Sequence, residues 1–212
     1  GAGANGRLTK AVGQRSSARK VDVHLPMESA QTTLVLARPG SYTTDATFRR
    51  TPTNALLPLL HAICYRSLGS RLYGVRERTG LFYSCTGAFG RGAGVEHKGM
   101  DEIVVRCKPE TASSTLAALE GFVRDTTPIT ERELTSAKAL VTSSLVHAVR
   151  ADRAMETLVD WGLRTGRCDE HSVRDHVRRI LDVSLPTMRA FARDVFRAPF
   201  LVRVAAGPTS PF

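Results

Sequence analysis

Ser70–Ser84 reads SRLYGVRERTGLFYS. Ser70–Thr79 reads as a short charged helix, Gly80 stands where a helix C-terminal glycine belongs, and Leu81–Phe89 reads as a strand. Arg71, Arg76 and Arg78 make the helix densely cationic. A helix–glycine–strand unit of this kind places an arginine and a tyrosine close together, one near the helix end and one on the emerging strand. Such a pair can grip a peptide carbonyl or carboxylate through charge-assisted and phenolic hydrogen bonds. The same cluster also reads as a solvated helix end whose cations complement the dipole. Spacing alone leaves both readings open.

Working outward, Gln31–Arg38 (QTTLVLAR) is a dense β-type run closed by the turn signal Pro39-Gly40. Pro52–Leu68 predicts a helix with Leu56, Leu59, Leu60, Ile63 and Cys64 on one face, stopping at Gly69. Asp101–Lys108 (DEIVVRCK) predicts a further strand. The intervening GRGAGVEHKG is glycine-rich, as phosphate cradles are, but it runs from strand to strand rather than opening a helix, so it reads as a hairpin loop.

From Thr111 the periodicity is helical, with Leu116, Leu119, Phe122 and Val123 in phase. Thr130–Glu133 has the form of a capping box and opens a helix that repeats Leu134, Ala137, Val141, Leu145 and Ala148. Asp152 caps a helix ending near Gly166. Asp169 caps another, with Val173, Val177, Ile180 and Leu181 inward. Ser184 caps a last one, with Met188, Phe191, Ala192, Val195 and Phe196 buried and Pro186 tolerated in its first turn. Phe200–Ala205 closes as a strand. The order predicts an α+β fold: a mostly antiparallel sheet packed against several helices. Residues 21–208 form the domain, 1–20 a flexible basic tail or linker remnant, and 209–212 a short tail.

The chain's 212 residues suit one domain, and 42% hydrophobic residues are enough for a core. No apolar run approaches the ~18 residues of a membrane-spanning helix. The formal charge of +10 first points to nucleic acid. However, Arg7, Lys10, Arg15, Arg19 and Lys20 supply half of that excess, leaving a body of nearly ordinary balance. Aromatics are only 6%, and no nucleic-acid module is recognisable, so binding through the basic tail is a minor alternative. Cys64, Cys85, Cys107 and Cys168 form no C-x-x-C pair; they read as buried free thiols of a reducing compartment. His171 and His176, five apart, fall on different sides of a helix and read as solvent-facing. No H-E-x-x-H, H-x-x-E-H, G-x-S-x-G or Walker A sequence occurs, so the chain shows no self-contained catalytic apparatus.

Ser70–Ser84 resembles the signature of the C-terminal, non-zinc half-domain of the pitrilysin/insulinase family of zinc metallopeptidases. That half-domain also occurs in mitochondrial processing peptidases and in the core proteins of respiratory cytochrome complexes. Ser70, Arg71, Leu72, Tyr73, Val75, Arg76, Glu77, Gly80, Leu81, Tyr83 and Ser84 carry the match. QTTLVLARPG, TERELTSAKALVTSSL and RAFARDVFRAPFLVRVAAGP resemble further family segments in the same order.

The resemblance implies a metallopeptidase half-domain sandwich. It also implies supporting catalytic roles for Arg76 and Tyr83, seven residues apart. Tyr83 would donate a hydrogen bond to the tetrahedral intermediate or substrate carbonyl, and Arg76 would hold the substrate backbone or a carboxylate. It implies no metal or cofactor in this chain, with zinc in the partner half. The expected partners are a zinc-bearing N-terminal half-domain or subunit and a peptide substrate, in a homo- or hetero-oligomer. The chain would then be one component of a metalloendopeptidase, incomplete alone, in a mitochondrial or bacterial soluble compartment. The alternative is a non-catalytic, core-like subunit of a mitochondrial respiratory or processing complex.

Overall fold

The computed structural model describes residues 20–40, 53–91, 99–150 and 170–212. Five strands form one sheet: β1 (Val21–Pro26), β2 (Thr32–Pro39), β3 (Phe82–Arg91), β4 (Met100–Cys107) and β5 (Val202–Gly207), in the order β1-β5-β2-β4-β3. All neighbours are antiparallel except β1 and β5, which run parallel. The helices are α1 (Thr53–His61), α2 (Arg71–Thr79), α3 (Ala112–Arg124), α4 (Glu131–Arg150), α5 (Glu170–Leu181) and α6 (Leu185–Phe196). The α+β sandwich expected from the sequence is the fold observed.

The dense run at Thr32–Pro39 becomes a central strand because both sides of its ladder are taken, by β4 and β5. Its inward residues Leu34 and Leu36 are buried, and they meet Ile103, Val105 and Cys107 of β4, Phe82 of β3 and Ala205 of β5. Leu116 and Leu119 of α3 and Leu72 of α2 cover that face. A second apolar cluster joins α1, α4, α5 and α6 through Leu59, Leu60, Leu134, Val141, Ile180, Met188 and Val195. Tyr65 and Phe122 pack against both clusters. Burying a side chain of this size is worth about 1.5–3 kcal/mol, so these two layers hold the sandwich together.

The caps expected at Thr130 and Ser184 are formed. The Thr130 hydroxyl accepts from the Glu133 amide at 3.2 Å, and the Glu133 carboxylate accepts from the Thr130 amide at 2.8 Å. The Ser184 hydroxyl accepts from the Thr187 amide at the start of α6. Pro109–Thr111 adds one 3-10 turn ahead of α3. β3 and β4 are antiparallel neighbours, as a hairpin requires, with Gly90 and Gly99 at positive φ beside their joined ends.

Several expectations change. The helix expected over Pro52–Leu68 ends at His61 and continues as a π turn, Ala62–Arg66. That turn lays the Tyr65 ring over Gly87, where a Cβ would stand 2.5 Å from a ring carbon. Leu181, expected inward, is half exposed, because it is the last residue of α5 and Ile180 takes the core position. His176, expected to face solvent, is buried: it lies one turn before Ile180 and shares its face. Burial, with help from nearby Arg179, pushes its pKa down to about 4. Cys64 and Cys107 are buried unpaired thiols, whereas Cys85 is only partly buried. Burial pushes the Cys64 thiol up to about 12. The expected helix from Asp152 to Gly166, the Asp169 cap, Cys168, and the side chains of Ala148, His171 and Val173 lie outside the described residues, as does most of GRGAGVEHKG.

Candidate functional site

The site is built from α2 and β3. The first turn of α2 is anchored by Arg71. Its Nε and Nη2 donate to the two carboxylate oxygens of Glu133 at 2.6 and 3.0 Å, and its Nη1 and Nη2 reach the carbonyls of Thr127 and Pro128. The carboxylate that completes the capping box of α4 therefore also fixes the start of α2. Burial alone would raise the Glu133 pKa, but the hydrogen bonds from Arg71 and Thr130 outweigh it and hold the carboxyl below its ordinary value. Leu72 is buried beneath the helix.

The helix then stops sharply. Gly80 sits at φ 63°, and its amide donates to the Arg76 carbonyl at 2.9 Å. Only a residue without Cβ takes that left-handed conformation cheaply. The chain is pinned again at once, since the Leu81 carbonyl accepts from the hydroxyls of Thr111 and Thr115. Phe82, the next residue, is buried.

Tyr83 follows as a β-bulge. Phe82 pairs with Cys107 and Ser84 with Arg106, so Tyr83 has no partner on β4. An extra residue of this kind shifts the phase of the strand and re-aims its side chains. The inward positions after Phe82 become Cys85, Gly87 and Phe89, while Tyr83 and Ser84 are both exposed. Tyr83 is 42% exposed, and among the described residues its hydroxyl has no hydrogen-bond partner. β3 is also an edge of the sheet, so its side away from β4 bears no strand among the described residues.

Arg76 lies in the last turn of α2 with its guanidinium 4.8 Å over the Tyr73 ring and 3.2 Å from the Glu77 carboxylate. Its side chain is partly exposed and Glu77 is largely so, which makes their ion pair a weak tether. Burial raises the Cys85 pKa, and the field of Arg76 opposes it. Among the described residues no hydrogen bond joins Arg76 to Tyr83. The sequence missed two features of this arrangement: the bulge at Tyr83 and the lock between Arg71 and Glu133. The capping-box glutamate was the one visible signal for the second.

Among the described residues no group of three His, Cys, Asp or Glu side chains is placed to hold a metal ion. No described helix is long and apolar enough to cross a membrane.

No protein-family model and no curated protein matches the chain. Solved structures do. A peptidase M16 inactive domain from Pseudomonas fluorescens superposes with a TM-score of 0.69 at 22% identity, over 91% of this chain. The chain has the fold of an M16 peptidase half. It spans only 44% of the Pseudomonas chain. An inactive peptidase domain from Bordetella parapertussis, at 16% identity and TM-score 0.62, matches 80% of this chain and 90% of its own length. A chain of complex III2 from Candida albicans matches at 12% identity and TM-score 0.61, over 89% of this chain and 46% of its own. The fold thus resembles that of M16 peptidase domains described as inactive.

Proposed function

We propose that the chain is the non-zinc half of a zinc metalloendopeptidase. In this reading it contributes substrate-binding and transition-state-stabilising residues to a zinc-bearing half located on another domain or subunit. The observation that carries the reading is Tyr83: an exposed phenol on a bulge, its hydroxyl without a hydrogen-bond partner among the described residues, positioned by the pinned Leu81 carbonyl and the buried Phe82 that precede it. The Tyr83 hydroxyl would donate to the oxyanion that develops on a scissile carbonyl. Arg76, on exchanging Glu77 for substrate, would hold a peptide carbonyl or carboxylate. The open edge of β3 would accept an extended peptide as an added strand. The zinc would activate water on the partner half, since this chain's described residues provide no ligand set. The compartment would be a mitochondrial or bacterial soluble one.

The test is reconstitution. The chain would be mixed with a zinc-bearing half of the same architecture and the cleavage of a quenched fluorescent peptide followed. Cleavage that depends on both chains and falls with Arg76→Ala supports the reading. Cleavage indifferent to Arg76→Ala and Tyr83→Phe together would overturn it.

A second reading is a non-catalytic, core-like subunit of a respiratory or processing complex. The fold likeness to a chain of complex III2 favours it. Copurification with such a complex, and no peptidase activity with any zinc-bearing half, would decide for it.

A further inference from the structure

A cleft of about 610 Å³ opens between the Asp125–Ile129 connector, α6, and the inner face of β2 and β5. It lies within the ~300–1,000 Å³ range of small-molecule sites. Its floor is apolar: Leu36, Leu60, Ile63, Phe122, Phe196 and Phe200 line it. Its rim is cationic, and most of those cations are already paired. Glu120 takes Lys20, Arg124 and Arg203; Asp22 also takes Arg203; Glu133 takes Arg71; Asp194 takes Arg197. Among the acids of the rim, Asp125 accepts from the Thr127 amide.

Two rim cations remain. Arg189 and Arg193 lie one turn apart on α6, on either side of Ala192, and all three line the cleft. Arg189 uses only Nε, donating to the Ile129 carbonyl at 2.7 Å, and so keeps its two terminal nitrogens. Arg193 is exposed and meets no acid among the described residues. Two unmatched guanidiniums at the mouth of an apolar cleft suit an anionic head on an apolar tail.

We propose that this cleft binds a long-chain carboxylate, with its acyl chain on the apolar floor and its head group held by Arg189 and Arg193. Two other occupants fit poorly. Lys20 lies on the rim, but a segment bearing Arg7, Lys10, Arg15 and Arg19 and no acid has the wrong charge for a mouth that carries Arg189 and Arg193. A peptide would lay unpaired amide and carbonyl groups on a floor whose side chains offer no partner. An acyl chain brings no such groups.

The experiment titrates the full chain with dodecanoate, kept below its micelle threshold, by calorimetry. Saturable one-site binding is expected. The variant R189Q/R193Q should weaken it by roughly tenfold or more, the scale of losing a charge-assisted contact. Dodecyltrimethylammonium, with the same tail and the opposite head, should bind at least about tenfold more weakly. Ala192→Trp, which fills the cleft, should abolish binding; circular dichroism checks the fold of both variants, and R189Q/R193Q, which changes the rim rather than the apolar floor, serves as the second variant. Absence of saturable binding would overturn the proposal. So would equal affinity for the two head groups, or dodecanoate affinity unchanged in R189Q/R193Q. Tighter binding of an acidic peptide than of dodecanoate would also overturn it.

Discussion

Replacing Glu133 with alanine should destabilise the domain far more than a helix cap ordinarily does. The carboxylate accepts from Thr130 N at 2.8 Å, Thr130 Oγ1 at 2.9 Å, Arg71 Nε at 2.6 Å and Arg71 Nη2 at 3.0 Å. Losing its half of the capping box costs about 1 kcal/mol. Losing the bidentate contact with a partly exposed Arg71 adds about 1.5–2 kcal/mol, at the low end for hydrogen bonds to charged groups. The total expected is about 3 kcal/mol. Arg71→Ala should cost about 2 kcal/mol, because Arg71 also loses the Thr127 and Pro128 carbonyls.

The double variant should show a coupling energy of about 1.5 kcal/mol, measured from denaturant midpoints at constant slope. The pair has a pH signature too. The folded pKa of Glu133 is depressed, so its contribution is complete above the ordinary glutamate value and is lost as pH falls through the folded one. Wild type should therefore lose more stability than Glu133→Gln on acidification below about pH 4.5. A coupling energy within about 0.5 kcal/mol of zero would refute the claim that one carboxylate ties α2 to α4.

Other perturbations follow from single contacts. Gly80→Ala forces a Cβ into left-handed backbone and should cost about 1 kcal/mol in chemical denaturation. Gly87→Ala places a Cβ 2.5 Å from the Tyr65 ring and should cost about 1–3 kcal/mol, visible as a lowered melting temperature. Arg38→Met should be more damaging, about 3–5 kcal/mol. It strands the Asp101 carboxylate, buried and 2.9 Å from Arg38 Nε, with only the Gly90 amide left to satisfy it among the described residues. His176 is neutral in the fold, with a pKa near 4 against an ordinary 6.5. Stability should therefore fall by about 3 kcal/mol as pH drops from 6.5 to 4, and His176→Leu should flatten that slope in pH-dependent denaturation.

Particular residues show what the sequence disclosed and what it hid. The run QTTLVLAR, the capping box at Thr130 and the glycine at position 80 are local signals, and each sits where its chemistry requires. β1 carried no such signal. Its alternation VDVHL puts polar residues on the helix side, where Asp22 pairs with Arg203, and leaves Val21, Val23 and Leu25 exposed on the other face. Its strand partner β5 is remote in sequence, so nothing local specifies the pairing. His176 reads as polar surface until the phase of Ile180 is known. Arg38 closes an apolar strand with a charge, and only the register opposite Asp101 explains its burial. At the candidate site, the types and spacing of Arg76 and Tyr83 were legible. The bulge that frees Tyr83 is a property of the β3–β4 register and leaves no mark in the residues themselves.

The most direct test of the account is the turnover number of a reconstituted peptidase carrying Tyr83→Phe, a change that removes one hydroxyl from an exposed ring. The account predicts a fall in kcat of roughly 100-fold to 1,000-fold, the scale of losing one oxyanion donor, with KM and the denaturation midpoint little altered. A kcat equal to that of the unmodified chain would contradict it.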